Sequence, residues 1–290
     1  MRKIIGFLLC AVVAFCLAAC GGSKTTEDTR ETLVVGLECA YAPFNWTENK
    51  KTDTNYPIDG TNKYADGYDV QMAKKIADGL NRRLVIKQVD WDGLIPSVQN
   101  GLIDLIIAGM SPTDERKLDI DFTNAYYTSE HVVLISTTSA YANVTSVSGF
   151  AGATFIGQTG TLYASIVAAM DSSVNKGVDK ATVPEIVADI QAGIVDGTVL
   201  ELPVATGLAA ANSDLKIIQF AEGQGFTQLA DTDEEGNSII RDIVASDRDV
   251  AIGIAKNRTT LLNQINEILA GITEAKRVEI MAGAVARQAE

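Results

Sequence analysis

Residues 106–116 read IIAGMSPTDER, and this segment decides the interpretation of the whole chain. An apolar strand is expected to end at Gly109, Ser111 stands where a helix N-cap belongs, and Pro112 takes the first helical position. The free N–H groups of a helix start favour an anion, and Arg116 can bind both oxygens of a carboxylate through its guanidinium. The segment therefore predicts a carboxylate site, with an ordinary strand–helix junction and a solvated arginine as the alternative.

The first twenty residues have the pattern of a secretion signal. Arg2 and Lys3 precede an apolar run from Ile4 to Ala19, which is shorter than a typical membrane span. The run ends in LAACG, which resembles the lipobox of bacterial lipoproteins. Cleavage before Cys20 would place acyl chains on its sulfur and amino group and anchor the protein at the extracytoplasmic face of the cell membrane. A plain secretory signal with an incidental cysteine is the alternative.

Composition narrows the classes of function. The formal charge is −13, or −15 once Arg2 and Lys3 are removed, which argues against nucleic acid and against a polybasic membrane surface as partners. After cleavage and modification of Cys20, one thiol, Cys39, and one histidine, His131, remain. We therefore expect no disulfide, no metal cluster and no cofactor, with Cys39 packed in the interior and His131 structural or solvated.

Apolar periodicity predicts an α/β protein, because β-type runs alternate with amphipathic helical stretches along the chain. In βαβα order, sheets are flanked by helices and ligands lie at the carboxyl ends of the strands. The predicted strands are Thr32–Leu37, Arg83–Val89, Leu105–Ala108, His131–Ser136, Ala153–Gly157, Gly197–Leu200 and Asp249–Ala255. The predicted helices are Tyr68–Leu80, Asp92–Asn100, Leu162–Met170, Pro184–Ala192, Leu261–Ile272 and Glu274–Ala286. Phe122–Tyr127 is predicted as a turn, and Lys50–Lys63 and Asp231–Asn237 are predicted as solvated loops or hairpin tips.

Six motifs in a fixed order carry a resemblance to a known family. They are GLECAYAPFNW (36–46), GYDVQMAKKIA (67–77), WDGLIPSVQNGLID (91–104), IIAGMSPTDERKLDIDFT (106–123), GQTGT (157–161) and AGIVDGTVLELPVA (192–205). With these motifs the chain resembles the extracytoplasmic solute-binding proteins of the polar amino-acid type (family 3), the receptor components of ABC importers. The likeness extends from Thr32 to about Ala286.

The resemblance implies a type II periplasmic-binding-protein fold, in which two lobes, each a mixed sheet flanked by helices, are joined by two crossover strands. It divides the chain into a signal peptide (1–19), a lipidated cysteine with a flexible tether (20–31), the first part of lobe 1 (32–128), lobe 2 (132–226) and a return to lobe 1 with the C-terminal helices (227–290). The implied partners are a free amino acid, the ABC permease and ATPase subunits, and the membrane through the lipid anchor. A monomer is expected.

The resemblance also assigns ligand contacts to eight residues. Arg116 and the backbone N–H of Thr161 would bind the α-carboxylate, and Glu201 would accept from the α-ammonium. Tyr41 and Trp91 would flank the ligand, Ser111 and Gly109 would complete the polar shell, and Glu38 would bind a distal cation. Glu38 thus favours arginine or lysine. Ala108 and Gly109 replace a serine pair of the basic-amino-acid members, so other polar amino acids remain possible.

Two other classes of function remain open at this point. A few proteins with this fold are enzymes, notably cyclohexadienyl and arogenate dehydratases, and Glu201 could act there as a general acid if burial raised its pKa. No second catalytic group is evident in the sequence, so we do not expect an enzyme. A ligand-sensing module for a membrane receptor is the other alternative.

Overall fold

The computed structural model describes residues 28–233 and 236–288. The chain divides into a unit of residues 1–30 and a unit of residues 31–290, and the fold below is that of the second unit. The predicted signal peptide and the predicted lipidation site at Cys20 lie outside the described residues. Within the described ranges, no helix has both the length and the apolar character needed to cross a bilayer.

Strands and helices alternate along the described chain and are numbered here in chain order. The strands are β1 (Thr32–Leu37), β2 (Ala40–Tyr41), β3 (Asn45–Glu48), β4 (Tyr56–Pro57), β5 (Tyr64–Asp66), β6 (Arg83–Gln88), β7 (Leu105–Ile106), β8 (Ile120–Thr128), β9 (His131–Ser136), β10 (Thr154–Phe155), β11 (Asn175–Lys176), β12 (Gly197–Glu201), β13 (Leu215–Ile218), β14 (Gln228–Thr232), β15 (Ser238–Asp242) and β16 (Asp249–Ala255). The helices are α1 (Tyr68–Gly79), α2 (Leu94–Gln99), α3 (Asp114–Asp119), α4 (Leu162–Ala169), α5 (Val183–Gln191), α6 (Leu202–Ala211), α7 (Thr259–Ala270) and α8 (Glu274–Gln288).

Two five-stranded mixed sheets share one plan. The first has the order β6-β1-β7-β16-β8 and the second the order β11-β10-β12-β9-β13. In the first sheet β6, β1 and β7 are parallel and β16 runs antiparallel to its neighbours, and in the second β9 is the antiparallel strand next to parallel β12, β10 and β11. β9 follows the chain's crossing out of the first sheet, and β16 follows its crossing back. Each lobe therefore contains one strand that arrives from the other lobe.

The central strands of both sheets are largely apolar and buried, whereas the edge strand β11 (Asn175–Lys176) is exposed. All five residues of β12 are buried, including Glu201 at its end, and β1 buries Leu33, Val35 and Leu37. Continuous burial of this kind is typical of parallel strands that are covered on both faces. The sheets thus bring their strand ends, and the loops that follow them, to the cleft between the lobes.

Two segments differ from the sequence-based prediction. The predicted turn at Phe122–Tyr127 is wrong, because these residues lie inside β8, which pairs antiparallel with β16 and buries Tyr126 completely. Within this segment Asn124 is exposed, whereas Thr123 is buried and its hydroxyl accepts from the Ile252 backbone N–H of β16 at 3.1 Å. The segment Lys50–Lys63, predicted as a solvated loop or hairpin tip, contains β4, which forms a hairpin with β5, and differs from the prediction in burying Ile58.

The hairpin of β14 and β15 packs beside the second sheet. Leu229 of the hairpin and Ile243 after it belong to the apolar cluster that also contains Val167 of α4. The division taken from the resemblance instead starts the return to lobe 1 at residue 227. Because the hairpin buries its apolar side chain against α4, the return to the first sheet begins in the structure after Ile243, and β16 completes it.

Candidate functional site

Side chains from both lobes surround one small cavity between the sheets. Its volume is about 10 Å³, which is close to what one water molecule requires. The lining residues are Tyr41, Trp91, Gly109, Ser111, Arg116, Gln158, Thr161, Leu162 and Tyr163. Six of the eight residues predicted from the resemblance are among them. The other two, Glu201 and Glu38, are hydrogen-bonded to lining residues.

The position of Arg116 is fixed by carbonyl groups of both lobes. One guanidinium nitrogen donates to the Ser111 carbonyl at 2.7 Å and another to the Gly160 carbonyl at 2.9 Å. The guanidinium carbon lies 5.1 Å from the ring centroid of Trp91, within the range of a cation–π contact. Burial lowers the pKa of Arg116 to about 10, so the side chain is a buried cation at neutral pH. It is therefore an oriented donor for an anion in the cleft.

The predicted helix cap at Ser111 is wrong. α3 begins at Asp114 and its N-cap is Thr113, whose hydroxyl accepts from the Arg116 backbone N–H at 3.3 Å. The Ser111 carbonyl instead accepts from the Thr113 backbone N–H at 3.0 Å and from the Arg116 guanidinium. The segment Ser111–Thr113 is thus a short bridge that carries Arg116 into the cleft.

Glu201 brings a carboxylate from the second lobe to the cleft. It is buried at the last position of β12, and its Oε2 accepts from the hydroxyl of Tyr41 in the first lobe, while its Oε1 has no hydrogen-bond partner. Burial raises the pKa of Glu201 to about 7, and interactions with Tyr163 and Tyr41 partly offset the increase. A cation next to Glu201 would therefore be strongly stabilised.

Tyr163 and Gln158 are site residues that sequence reasoning missed. Tyr163, in the first turn of α4, is buried and interacts electrostatically with both Arg116 and Glu201. Gln158, in the loop after β10, donates to the Glu38 carboxylate at 2.9 Å and to the Ala181 carbonyl at 3.0 Å. The GQTGT motif (157–161) contains Gln158 and directly precedes α4, in which Tyr163 lies. The position of this motif could have indicated both residues.

Glu38 lies directly after β1, one residue beyond the first sheet, and is buried. Its pKa is raised to about 7, first by burial and also by the neighbouring carboxylates of Asp90 and Asp92, against the hydrogen bond from Gln158. This part of the cleft is thus rich in negative charge, and its nearest described donor is a neutral amide.

Trp91 and Thr161 face each other across the closed cleft. The Trp91 indole N–H donates to the Gly160 carbonyl at 3.2 Å. The same oxygen accepts from Arg116, so two first-lobe side chains donate to it. Thr161 is the N-cap of α4: its hydroxyl accepts from the Ala164 N–H, and its backbone N–H donates to the Gln158 carbonyl at 3.2 Å. The start of α4 therefore faces the Arg116 side of the cleft.

A buried hydrogen-bond chain holds Gly109 in place. The Gly109 N–H donates to the Tyr126 hydroxyl at 3.0 Å, and that hydroxyl donates to Asp69 at 2.6 Å, which also accepts from Asn45 at 2.8 Å. Gly109 has a φ of 63°, and a Cβ there would lie 3.2 Å from the ring of Tyr41. Any larger residue would therefore disturb both the turn and the aromatic wall of the cavity.

The arrangement is suited to binding a small zwitterion. It offers a buried guanidinium and a buried carboxylate from opposite lobes, a second buried carboxylate, and aromatic walls formed by buried Tyr41 and half-buried Trp91. Among the described residues, no group of three or more His, Cys, Asp or Glu side chains is placed to hold a metal ion.

The chain matches known proteins over most of its length. Residues 33–282 match the family model described as bacterial extracellular solute-binding proteins, family 3. The arginine-binding extracellular protein ArtP of Bacillus subtilis is 28% identical over 218 residues, which cover 74% of this chain and 79% of that protein. A probable histidine-binding protein of Campylobacter jejuni is 33% identical over 140 residues, which cover 46% of this chain and 50% of that protein. These relatives are named as binding proteins rather than enzymes.

A solved structure gives the same fold. The amino acid ABC transporter substrate-binding protein AbpA of Streptococcus pneumoniae, bound to L-arginine, superposes with a TM-score of 0.70 at 25% identity, covering 89% of this chain and 96% of that protein. The fold class predicted from the sequence, two mixed-sheet lobes of the periplasmic-binding type, is confirmed. With a family model that spans nearly the whole described chain, this protein belongs to the bacterial extracellular solute-binding proteins, family 3.

Proposed function

We propose that the protein captures one free amino acid between its two lobes and delivers it to the permease of an ABC importer. The observation that carries the proposal is that a buried cation and a buried carboxylate from opposite lobes meet at one cavity: Arg116 lines it, and Glu201 accepts from Tyr41, which also lines it. The α-carboxylate of an amino acid would bind Arg116 and its ammonium would bind Glu201. Each charge is then neutralised where burial would otherwise make it costly.

Ligand binding would replace contacts that the protein makes with itself. The Tyr41 hydroxyl donates to Glu201, and the Gly160 carbonyl accepts from Arg116. The ammonium of a ligand would take the first position and its carboxylate would take the second. A charged pair is a stronger contact than either neutral partner, so the ligand shifts the equilibrium between open and closed lobes toward the closed form. Hinge closure around a ligand is the general behaviour of periplasmic binding proteins.

We further propose arginine or lysine as the preferred ligand. Glu38 is buried next to Asp90 and Asp92, and its hydrogen-bond donor is the neutral Gln158. A cationic side chain reaching this carboxylate would offset the burial that raises its pKa and the smaller repulsion from Asp90 and Asp92. The names of the arginine-binding relative and of the arginine-bound structure agree with this choice.

A thermal-shift screen against the twenty amino acids tests the proposal directly. A ligand present at 100 times its dissociation constant adds roughly 2.7 kcal/mol to the free energy of unfolding, so the best ligand will stand out as the largest rise in melting temperature. We expect the basic amino acids to give that rise. A screen in which no amino acid changes the melting temperature would contradict the proposed function.

Replacing Glu38 with glutamine should weaken arginine binding about tenfold or more, because a hydrogen bond to a charged group contributes about 1.5–3 kcal/mol. Binding of glutamine, which has no cationic side chain, should change little and serves as the internal control. Isothermal titration calorimetry with both ligands measures the difference. An equal loss for both would mean that Glu38 does not contact the ligand side chain.

We also propose that Cys20 carries the lipid that anchors the protein to the membrane. The support is the LAACG sequence at residues 17–21 after an apolar run. Replacing Cys20 with serine should move the protein from the membrane fraction to the soluble fraction, because the acylated sulfur is lost. Fractionation of cells that express each form measures this. A Cys20→Ser protein that stays in the membrane fraction would contradict the anchor.

A further inference from the structure

The two crossovers between the lobes run side by side. The first, from β8 to β9, passes through Ser129, whose backbone N–H donates to the Arg248 carbonyl in the second at 2.9 Å. The Thr128 hydroxyl donates to the Asp249 carboxylate at 2.6 Å. The second crossover, residues 243–248, connects the hairpin of β14 and β15 to β16. Any change in the angle between the lobes must therefore bend these paired segments together.

A cluster of three charged side chains joins the hairpin to the second crossover. The Arg241 guanidinium forms two hydrogen bonds with Asp247, at 2.7 and 2.8 Å, and a third with Asp231. Asp247 lies in the crossover and is buried, and its carboxylate also accepts from the Val244 N–H at 2.8 Å. Burial acts to raise the pKa of Asp247, but the bonds from Arg241 and Val244 outweigh it and the pKa is lowered. We call Asp231, Arg241 and Asp247 the hairpin triad.

The hairpin triad is connected to the ligand cavity through His131. The Asp247 carbonyl accepts from the His131 ring at 3.3 Å, and that ring packs edge-on against Tyr163, with 5.7 Å between centroids. Burial lowers the pKa of His131 to about 4, so the ring is neutral at physiological pH. His131 therefore links Asp247 to Tyr163 through one hydrogen bond and ring packing, and its charge does not change near neutral pH.

The hairpin also forms one wall of the entrance to the cleft. A second cavity of about 460 Å³ lies outside the first and shares Arg116 and Trp91 with it. Its opposite wall includes Asp231, Ser238 and Arg241. Two of the three members of the hairpin triad thus line the route by which a ligand would reach Arg116.

We propose that Arg241 is a positioning residue that holds the hairpin over the cleft entrance and fixes the conformation of the second crossover, so that a bound ligand is released slowly. This inference rests on the proposed function. Arg241 does not line the inner cavity, so it acts through the hairpin and the hinge. Its planar guanidinium can bind two carboxylates at once, which a lysine ammonium does less well.

Release, rather than capture, should depend on this cluster. With the hairpin triad intact, the entrance opens only when the lobes separate. Without it, the hairpin can move away from α4 while the lobes stay closed, and the ligand gains a second exit. Affinity changes among variants of one site occur mostly in the dissociation rate, and this geometry gives a physical reason to expect the same here.

Stopped-flow fluorescence with Trp91 as a reporter measures both rate constants for the amino acid that the thermal-shift screen identifies. For Arg241→Ala we expect dissociation at least about tenfold faster and association changed by less than about threefold. Arg241→Lys should recover part of the slow release. Asp231→Ala, which removes the hydrogen bond between Asp231 and Arg241 and leaves the bonds to Asp247, should give an intermediate rate.

The control is Arg277→Ala. Arg277 donates to the carbonyls of Ile272, Ala125 and Leu269 at 2.8–3.2 Å in the first lobe, so its loss should lower the melting temperature without changing either rate constant. If Arg241→Ala lowers only the melting temperature, as Arg277→Ala does, the triad is merely structural and the inference is wrong. If the wild-type protein binds no amino acid, the proposed function fails instead, and the two failures are thereby distinguished.

Discussion

Replacing Arg116 with alanine is expected to abolish measurable amino-acid binding while the protein remains folded. Arg116 is the buried cation of the cleft, held by the Ser111 and Gly160 carbonyls and stacked on Trp91. Removing one partner of a buried charge pair costs about 2–5 kcal/mol, or roughly 30-fold to several thousand-fold in affinity. Isothermal titration calorimetry measures this change directly.

Two variants make the Arg116 experiment specific. Arg116→Lys keeps the positive charge but loses the planar fork, so it should bind more weakly than the wild type and more tightly than Arg116→Ala. Lys117→Ala removes a positive charge at the next position, where the side chain is exposed and paired with Asp114 at 2.9 Å; its affinity should equal that of the wild type. Wild-type affinity in a folded Arg116→Ala protein would contradict the carboxylate site.

Replacing Glu201 with glutamine should weaken binding about 100-fold or more, because breaking a buried ion pair costs about 3–5 kcal/mol. Glutamine has nearly the same shape and can still accept from Tyr41, so the loss reports the charge. Glu222→Gln, at an exposed position of the second lobe, is the matched control and should bind normally. A Glu201→Gln protein of unchanged affinity would contradict the ammonium site.

The pH dependence of binding gives a second measurement on Glu201. Burial raises its pKa to about 7 in the protein alone, and an ammonium beside the carboxylate would lower it in the complex. Affinity for the amino acid is then highest above pH 7. It falls as the pH decreases below 7, by up to about tenfold per pH unit, because the Glu201 carboxyl must lose a proton to bind the ammonium. Glu201→Gln should remove this slope. Glu38 has a similarly raised pKa, so both proteins are best compared in a Glu38→Gln background.

The same group affects stability without ligand, with the opposite sign. The pKa of Glu201 is about 7 in the folded protein and near its ordinary value of 4.5 when unfolded. The folded state therefore holds a proton that the unfolded state has lost between these values, and stability decreases as the pH rises toward 7. Above pH 7, Glu201→Gln should melt at a higher temperature than the wild type, and below pH 4.5 the two should be similar.

The sequence alone allowed most of the element types and the order of the elements to be predicted. β9 and β16 have the predicted bounds, and the predicted helix at Tyr68–Leu80 differs from α1 only at its last residue. These segments have strong periodicity, which reflects burial of one face or of a whole strand. The prediction was wrong at Phe122–Tyr127, where the polar pair Thr123 and Asn124 resembles a turn but lies inside β8, because the partner strand β16 is distant in sequence.

The candidate site was predicted in part, and several of its residues occupy the same kind of position in the fold. Glu38, Gly109, Thr161 and Glu201 all lie at or after the carboxyl ends of strands in the two sheets. A strand followed by a polar or charged residue is visible in one sequence, and the resemblance to the family supplied the order of the motifs. Their roles as ligand contacts stay predictions, which the substitutions above test.

The sequence by itself determined which residues are predicted to bind a zwitterion, the strand ends that carry them and the family that the chain resembles. Only the tertiary structure decided which groups form hydrogen bonds with them: Tyr41 with Glu201, Gln158 with Glu38 and the Gly160 carbonyl with Arg116. Each of these contacts joins residues that are 44 to 160 positions apart. Local sequence patterns report the structure of neighbouring residues, whereas such contacts form only where the tertiary structure brings the two sheets together.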